Sequence, residues 1–342
     1  MSTRYNPLSA NDLRQCIRIT TGATIGFTLC KLFNWNYGVF FTITPMLLLG
    51  LAPVMSAHAM RQIIASSTMA IIEVGILTSL LGGFPGIMTP VVFLLFAYRF
   101  AVMSKGNLFL FGAFGVIMLS IMLNFASYPG TDLNNLLFNN FFATLLSVAI
   151  AYLMMALFPD VEPRTPKGSN PKAPHRMRHE TLLGATVATI SFIAFQVLDL
   201  QDSLSAQAST ILILFPMHWN GVLDTARKRA IGTILGVSVG VICQFILYDW
   251  SNLLLLVIPL LWISIFLFSQ FHLREGGGSS IGFGAMTTLG ILFGQYLSAD
   301  NDLIFSAMYR ISSMAVAITL TLLLCHTVHL LLNRFESTRF GY

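Results

Sequence analysis

The chain alternates between long apolar segments and short polar connections. Twelve apolar segments can be distinguished, and most are close to the ~20 residues that an α-helix needs to cross a bilayer core of about 30 Å. The pattern predicts an all-α integral membrane protein with about twelve transmembrane helices. The predicted segments are residues 17–33, 38–53, 62–81, 87–103, 108–126, 136–158, 182–198, 206–219, 230–247, 253–271, 281–297 and 303–332.

One polar stretch differs in kind from the other connections. Residues 159–178 contain five prolines and five cations, and no apolar periodicity. This composition predicts an extended linker. It divides the chain into a first six-helix repeat at 1–158, a basic, proline-rich cytoplasmic linker at 159–180, and a second six-helix repeat with a short tail at 181–342.

The two halves share landmarks at matching positions. Because six is an even number of crossings, the two repeats are expected to have the same orientation in the membrane. A cleft between two such halves is where transporters usually bind their substrate. The matching landmarks are Pro53 and Pro216, Arg61 and Arg229, and residues 112–115 and 282–285.

Composition supports the membrane assignment. The chain is 55% hydrophobic and 10% charged, whereas a soluble protein has about 25% charged residues. Of its 19 lysines and arginines, all but Lys31 and Arg310 fall in alternate connections, and six aspartates fall in the others. The positive-inside rule therefore predicts cytoplasmic termini and a cytoplasmic linker. Because these cations orient a membrane protein, the charge of +5 does not indicate nucleic-acid binding.

Motifs for catalysis are lacking in the sequence. We find no nucleophile–base constellation, Walker loop, dinucleotide fingerprint or metal-ligand cluster, and the four cysteines are scattered singly. No cleavable signal peptide is expected, because residues 1–12 are polar. An enzyme, a cofactor and a metal are therefore not expected, and a pump without a nucleotide site must use an ion gradient.

The connection before the ninth segment carries the most distinctive motif. Three cations at 227–229 are followed by Gly232, Gly236 and Gly240. Glycines spaced by four lie on one helix face, where they let the backbone of another helix approach closely. Together with Arg229 and Thr233 they form the pattern Arg-x-x-Gly-Thr-x-x-Gly-x-x-x-Gly.

This pattern opens the third helix of a six-helix unit and resembles the signature of the fusaric acid resistance and aromatic acid exporter superfamily. Plant aluminium-activated malate channels are distant relatives of that superfamily. The first half, at residues 61–68, lacks the glycines, and large soluble domains typical of the family have no counterpart here. The chain therefore resembles a compact branch of the superfamily, of the kind described as a domain of unknown function.

The resemblance implies a component of an efflux system in the bacterial inner membrane. Its expected substrates are aromatic carboxylic acids or similar organic anions and toxic compounds. Its implied partners, besides protons and the lipid bilayer, include a periplasmic adaptor of the membrane-fusion type. A homo-oligomer is a further expectation that the sequence leaves open.

Glu73 is the sharpest candidate for a functional residue. It lies twelve residues after Arg61, or about 18 Å into a core of about 30 Å. An acid at this depth is costly and normally faces the bundle interior or water. It therefore suits a carboxyl that takes up and releases a coupling proton, and a structural ion pair is the alternative.

Four other titratable or charged residues are weaker candidates. Arg310, about 10 Å below the outer surface, lies at a depth where it can pair with Glu73 or bind a substrate carboxylate. Arg18 and Arg99 are candidates for a cytoplasmic anion entrance, although snorkelling to the interface is favoured. His218 is a candidate for gating or substrate binding, with an ordinary interfacial side chain as the alternative.

The sequence thus favours a secondary transporter that exports organic anions, with a proton carried by Glu73. A passive anion channel and a non-transporting membrane scaffold of an envelope complex remain alternatives. Residues 221–229 are also similar to a loop motif of the major facilitator superfamily, but their spacing differs and the first half has no copy.

Overall fold

The computed structural model describes residues 7–52, 54, 56–128, 130–164, 172–198, 204–247, 250, 253–296 and 303–340. In these ranges the chain forms twelve α-helices and a short 3-10 turn, with no strand. The helices are α1 Ala10–Leu32, α2 Gly38–Leu51, α3 Ala57–Leu81, α4 Pro85–Lys105, α5 Phe109–Ala126, α6 Leu133–Leu157, α7 Pro174–Val197, α8 Leu204–Ile213, α9 Trp219–Leu247, α10 Leu254–Arg274, α11 Ile281–Tyr296 and α12 Leu303–Leu332.

Several features used in the sequence analysis lie outside the described residues. They are Pro53, linker residues 165–171, and the aspartates at 199, 202, 249, 300 and 302, five of the six that set the predicted orientation.

Eight of the helices in the described ranges are long and apolar enough to cross a membrane, namely α3 to α7, α9, α10 and α12. Their outward faces are apolar: on α3, for example, Ile72, Ile76 and Leu80 are each more than half exposed. Such surfaces are stable only against lipid, so the chain is a multi-pass membrane protein. With 14 residues, α2 is about 21 Å long, which is shorter than the bilayer core. Twelve crossings and two parallel repeats stay predictions.

Several helices begin before the apolar segments that predicted them. The predicted connection before segment nine is wrong, because α9 begins at Trp219 and includes Asp224 and the cations at 227–229. Similarly, α7 begins at Pro174, inside the stretch predicted as linker. Hydropathy detects only the apolar part of a helix, whereas backbone hydrogen bonding continues through polar turns at either end.

The described helices form two compact units, and each unit takes helices from both halves of the chain. Unit 1 contains residues 1–60, 139–166 and 228–312, and unit 2 contains residues 61–138, 167–227 and 313–342. Unit 1 therefore combines α1, α2 and most of α6 with α10, α11 and most of α9. Unit 2 combines α7, α8 and most of α12 with α4, α5 and most of α3.

In unit 1, α1 packs on α2 and α10, and α11 packs on α2 and α10. The α1–α2 contact is close because of Gly26, where a Cβ atom would overlap the carbonyl oxygen of Phe41. Trp262 on α10 donates a hydrogen bond to the Thr21 hydroxyl on α1 at 3.2 Å. Small residues and interhelical hydrogen bonds hold the helices together. This is expected in a membrane, because lipid tails are as apolar as the side chains and the hydrophobic effect does not drive helices together.

The glycines of α9 face α11 within unit 1. A Cβ atom at Gly232 would lie 2.5 Å from the Ile281 carbonyl oxygen, and one at Gly236 would lie 2.5 Å from the Ala285 carbonyl oxygen. At Gly240 it would lie 2.6 Å from a methyl carbon of Leu292. Because two of these three contacts are with backbone, the spacing of α9 and α11 depends on glycine at 232 and 236.

In unit 2, α4 packs on α5 and α7, and α8 packs on α5 and α7. The central helix is α5, whose residues from Gly112 to Asn124 are all buried. A Cβ atom at Gly112 would lie 2.6 Å from the carbonyl oxygen of Arg99 on α4. The close approach of α4 and α5 therefore depends on this glycine.

We predict that Gly232→Ala destabilises the protein by about 1–3 kcal/mol, the usual cost of overpacking. The added methyl would press on backbone atoms of α11, which cannot move aside cheaply. Thermal unfolding of the detergent-purified protein measures the effect. Gly86→Ala on α4 is the control, because apart from its chain neighbours and its own helix backbone no described atom lies within 4 Å of a Cβ there. Equal melting temperatures for the two variants would contradict the packing role.

Candidate functional site

Unit 2 contains a buried ion pair between two membrane helices. Arg99 on α4 donates a hydrogen bond from Nη2 to Glu73 Oε2 on α3 at 2.9 Å. The Arg99 side chain is fully buried, and the Glu73 side chain is 10% exposed. Both helices are long and apolar enough to span the membrane, so the pair is an ionisable centre within membrane-spanning segments.

The central helix α5 forms one wall of this ion pair. The Arg99 guanidinium lies over the Phe111 ring, 4.6 Å from its centroid, in cation–π geometry. At Gly115 a Cβ atom would lie 3.0 Å from Arg99 Nη1 and 2.7 Å from the Ser66 hydroxyl oxygen. The glycine therefore leaves the space in which the guanidinium sits.

Two hydrogen bonds fix α3 against α5 and so determine where Glu73 lies. Ser66 donates to the Phe111 carbonyl oxygen at 2.6 Å, and the Phe111 backbone N–H donates to Gln62 Oε1 at 3.1 Å. Gln62, Ser66 and Glu73 are spaced by four and seven residues, which places them on one helix face. The same face that binds α5 therefore presents the carboxylate to Arg99.

Among the described residues of unit 2, five buried polar side-chain atoms have no hydrogen-bond partner. They are Glu73 Oε1, Arg99 Nε, Arg99 Nη1, Asn124 Nδ2 and Gln207 Oε1. Gln207 on α8 does donate to the Ser120 carbonyl oxygen on α5 at 2.7 Å. Leaving such an atom unpaired costs about 1–3 kcal/mol. The interior of unit 2 thus offers donors and acceptors that water or a ligand can satisfy.

Three arginines of the sequence analysis can now be placed in the structure. Arg99 was expected to snorkel and is instead buried against Glu73, because α4 continues for six residues beyond it, to Lys105. A cation that contacts Glu73 is therefore Arg99. Arg310 is buried in unit 1, and its pairing with Glu73 stays a prediction. Arg18, also expected to snorkel, is buried and pairs with Asp160.

Arg18 owes its burial to the beginning of the linker. In unit 1 its guanidinium also contacts the Met155 sulfur on α6. Nearby, Arg164 pairs with Asp12 at 2.9 Å, and Arg14 donates to the Pro159 carbonyl oxygen. These contacts fasten residues 159–164 to the first turns of α1, so Arg18 has a structural partner in place of water.

Arg229 and Thr233, the polar residues of the glycine motif, are buried in unit 1. Arg229 donates from Nη1 to the Thr287 hydroxyl oxygen on α11 at 2.7 Å. The Thr233 and Thr288 hydroxyls are buried and have no hydrogen-bond partner. The α9–α11 contact thus combines a glycine seam with a polar cluster of one arginine and three threonines.

His218 lies beside the last described residues of the chain, within unit 2. Its Nδ1 donates to the Pro216 carbonyl oxygen at 2.6 Å, and its ring stacks on Phe340 at 5.7 Å. The Arg176 guanidinium lies 4.7 Å from the Phe340 ring centroid. His218 therefore contacts segment 333–340, and whether it also contacts a substrate stays a prediction.

A directed chain of hydrogen bonds holds segment 333–340. Because the Thr338 carbonyl oxygen can only accept, His179 Nδ1 donates to it, at 2.8 Å. The Phe340 N–H donates to Asn333 Oδ1 at 2.9 Å, so Asn333 Nδ2 is the donor to His329 Nε2 at 3.0 Å. His329 Nδ1 must then donate to His179 Nε2 at 3.0 Å. These bonds are all satisfied only when both rings are neutral.

Sequence reasoning missed the partners of Glu73. The spacing of Gln62, Ser66 and Glu73 on one face was a visible signal, whereas nothing in the sequence linked Arg99 to Glu73. No group of three or more histidine, cysteine or acidic side chains that could hold a metal occurs in the described part of the chain.

Two comparisons with known families locate matches in the two halves. Residues 15–154 match a family described as a protein of unknown function (DUF2955). Residues 187–324 match a family described as fusaric acid resistance protein-like. No curated protein and no solved structure was found that matches the chain.

We predict that Asn333→Ala releases segment 333–340, because the variant loses hydrogen bonds to both His329 and Phe340. Two such bonds contribute about 1–3 kcal/mol together, so trypsin should cleave after Arg339 at least about fivefold faster than in the wild type. Ser312→Ala is the control, because the Ser312 hydroxyl donates only within its own helix. Unchanged cleavage in Asn333→Ala would show that other contacts hold the segment.

Proposed function

We propose that this chain is a secondary transporter that exports organic anions and is coupled to protons. The premise is that its residues 187–324 match the fusaric acid resistance protein-like family. The family's membrane proteins are transporters, which supports this class of function over catalysis.

The observation that carries the proposal is the buried Glu73–Arg99 pair in spanning helices of unit 2. An acid in such a position is costly and usually marks an ion or proton pathway. Glu73 keeps only one of its two oxygens bonded. Protonation of Glu73 therefore breaks one charge-assisted contact and leaves Arg99 as an uncompensated cation, which is a state that attracts an anion.

The family relationship supports the class of substrate and the setting. We propose aromatic carboxylic acids and similar organic anions as substrates, with the protein in the bacterial inner membrane and both termini in the cytoplasm. A periplasmic adaptor of the membrane-fusion type is the proposed partner. The excess of cations on one side of the predicted segments supports this orientation.

We predict that Glu73→Gln abolishes proton-coupled transport, because glutamine keeps the shape of the side chain and cannot carry a proton. The assay is uptake of labelled 4-hydroxybenzoate into inside-out membrane vesicles with an imposed proton gradient. Uptake by the variant should fall at least about tenfold, to the level of the wild type treated with a protonophore.

The matched control is Glu180→Gln. Glu180 is also a buried carboxylate of unit 2, bonded to Lys172 at 2.7 Å and Arg176 at 3.2 Å. Its replacement tests the loss of a buried acid without the loss of Glu73. Wild-type uptake that the protonophore does not change would indicate a channel. The absence of uptake for a panel of acids would favour a scaffold.

A further inference from the structure

We infer that Arg99 is the anion-binding residue, and that Glu73 and the carboxylate of the transported anion compete for its guanidinium. The inference rests on the proposed function and names the residue, the class of anion and the link to the proton. In the structure the Glu73 carboxylate is bound to the Arg99 guanidinium. Uptake of a proton by Glu73 releases the guanidinium, and a monocarboxylate takes the place of the glutamate side chain.

The unused donors of Arg99 are the first argument. A guanidinium presents five N–H donors and binds a carboxylate through two parallel hydrogen bonds. Here only Nη2 is engaged, by a single oxygen of Glu73, while Nε and Nη1 are buried without a hydrogen-bond partner. Arg99 can therefore hold a carboxylate with two hydrogen bonds once Glu73 withdraws.

The surroundings of Arg99 indicate which carboxylate fits. The guanidinium lies over Phe111 and is 5.8 Å from the Tyr98 ring centroid, so apolar ring surface borders the anion position. The site offers one positive charge, since neither α5 nor α8 contains a charged residue. A monocarboxylate with an apolar body matches this charge, whereas a dicarboxylate would keep one charge uncompensated in a buried site.

The charges that face Glu73 determine the direction of the pH effect. On α4, Arg99 contacts Glu73, and Lys105 lies six residues further along at the helix end. On α3 itself, Arg61 lies twelve residues earlier, about 18 Å away along the axis. The titratable groups of α7 lie at residues 175–180, in its first turns, and those of α12 in unit 2 are Cys325, His326 and His329.

Arg99 is therefore the group whose occupancy is coupled to the proton on Glu73. Because Glu73 must be protonated for the anion to bind, each bound anion takes up about one proton. Binding consequently strengthens as the pH falls, over the range in which the ligand itself stays ionised.

The test measures equilibrium binding of labelled benzoate to the full-length protein in lipid nanodiscs, between about pH 5.5 and pH 8. We expect saturable binding that tightens toward low pH, with malate at least about tenfold weaker than benzoate. Arg99→Gln should weaken benzoate binding at least about tenfold, and Arg99→Lys should restore part of the loss.

Glu73→Gln gives a result that a structural role would not produce. It should bind benzoate with an affinity independent of pH, and at pH 8 more tightly than the wild type, because no carboxylate competes for Arg99. Arg176→Gln is the control, since it removes an arginine that pairs with a carboxylate in the same unit. A thermal melting curve with retained cooperativity identifies variants that are folded.

The outcomes separate the inference from the proposed function. Benzoate binding that survives Arg99→Gln, or that stays pH-dependent in Glu73→Gln, overturns the role of Arg99 and leaves proton-coupled export standing. The absence of saturable benzoate binding to the wild type overturns the inference as well as the proposed carboxylate substrates. Equal loss in Arg99→Gln and Arg176→Gln assigns the effect to folding and also overturns the inference.

Discussion

An ionised side chain between membrane-spanning helices must find its counter-charge inside the protein, because lipid offers none. In unit 2 this constraint joins three helices: α3 carries Glu73, α4 carries Arg99, and α5 supplies Phe111 and the space at Gly115. Ser66 donates to the Phe111 carbonyl oxygen and Gln62 accepts from the Phe111 N–H, and these two bonds hold α3 at one register on α5. A shift of α3 by one turn would separate the charges by about 5.4 Å, so register and ion pair support each other.

The two units use the same kind of helix contact for different chemistry. In unit 1, α9 meets α11 through Gly232 and Gly236, and Arg229 there is bonded to a threonine hydroxyl. In unit 2, α3 presents Ser66 and Ala70 at the same spacing of four, and both are fully buried. Small residues permit close packing in both cases. The α3 contact places a membrane-embedded acid next to an arginine, which makes unit 2 the candidate for proton coupling.

The sequence predicted the elements better than their partners. Long apolar segments predicted helices in nearly the right places, and the depth of Glu73 was inferred from its distance to Arg61. The ends of α7 and α9 were missed because polar turns continue the helix beyond the apolar segment. The pairing of Glu73 with Arg99 was missed because it depends on how α3 packs on α4 and α5. The exchange of helices between the halves was missed as well, since a hydropathy pattern carries no information on which helices pack together.

A single guanidinium that serves two carboxylates is a complete coupling device in thermodynamic terms. The proton and the anion never contact each other, yet each favours the state in which Glu73 is released from Arg99. The coupling free energy equals the free energy by which Arg99 prefers the ionised Glu73 over the protonated one, and it acts equally on both ligands. Arginine suits this role because it stays charged throughout, so the only proton that moves is the one on Glu73. Glu73 binds Arg99 through only one of its two oxygens, and this favours exchange. A carboxylate bound through both oxygens would hold Arg99 too tightly for an anion to displace it.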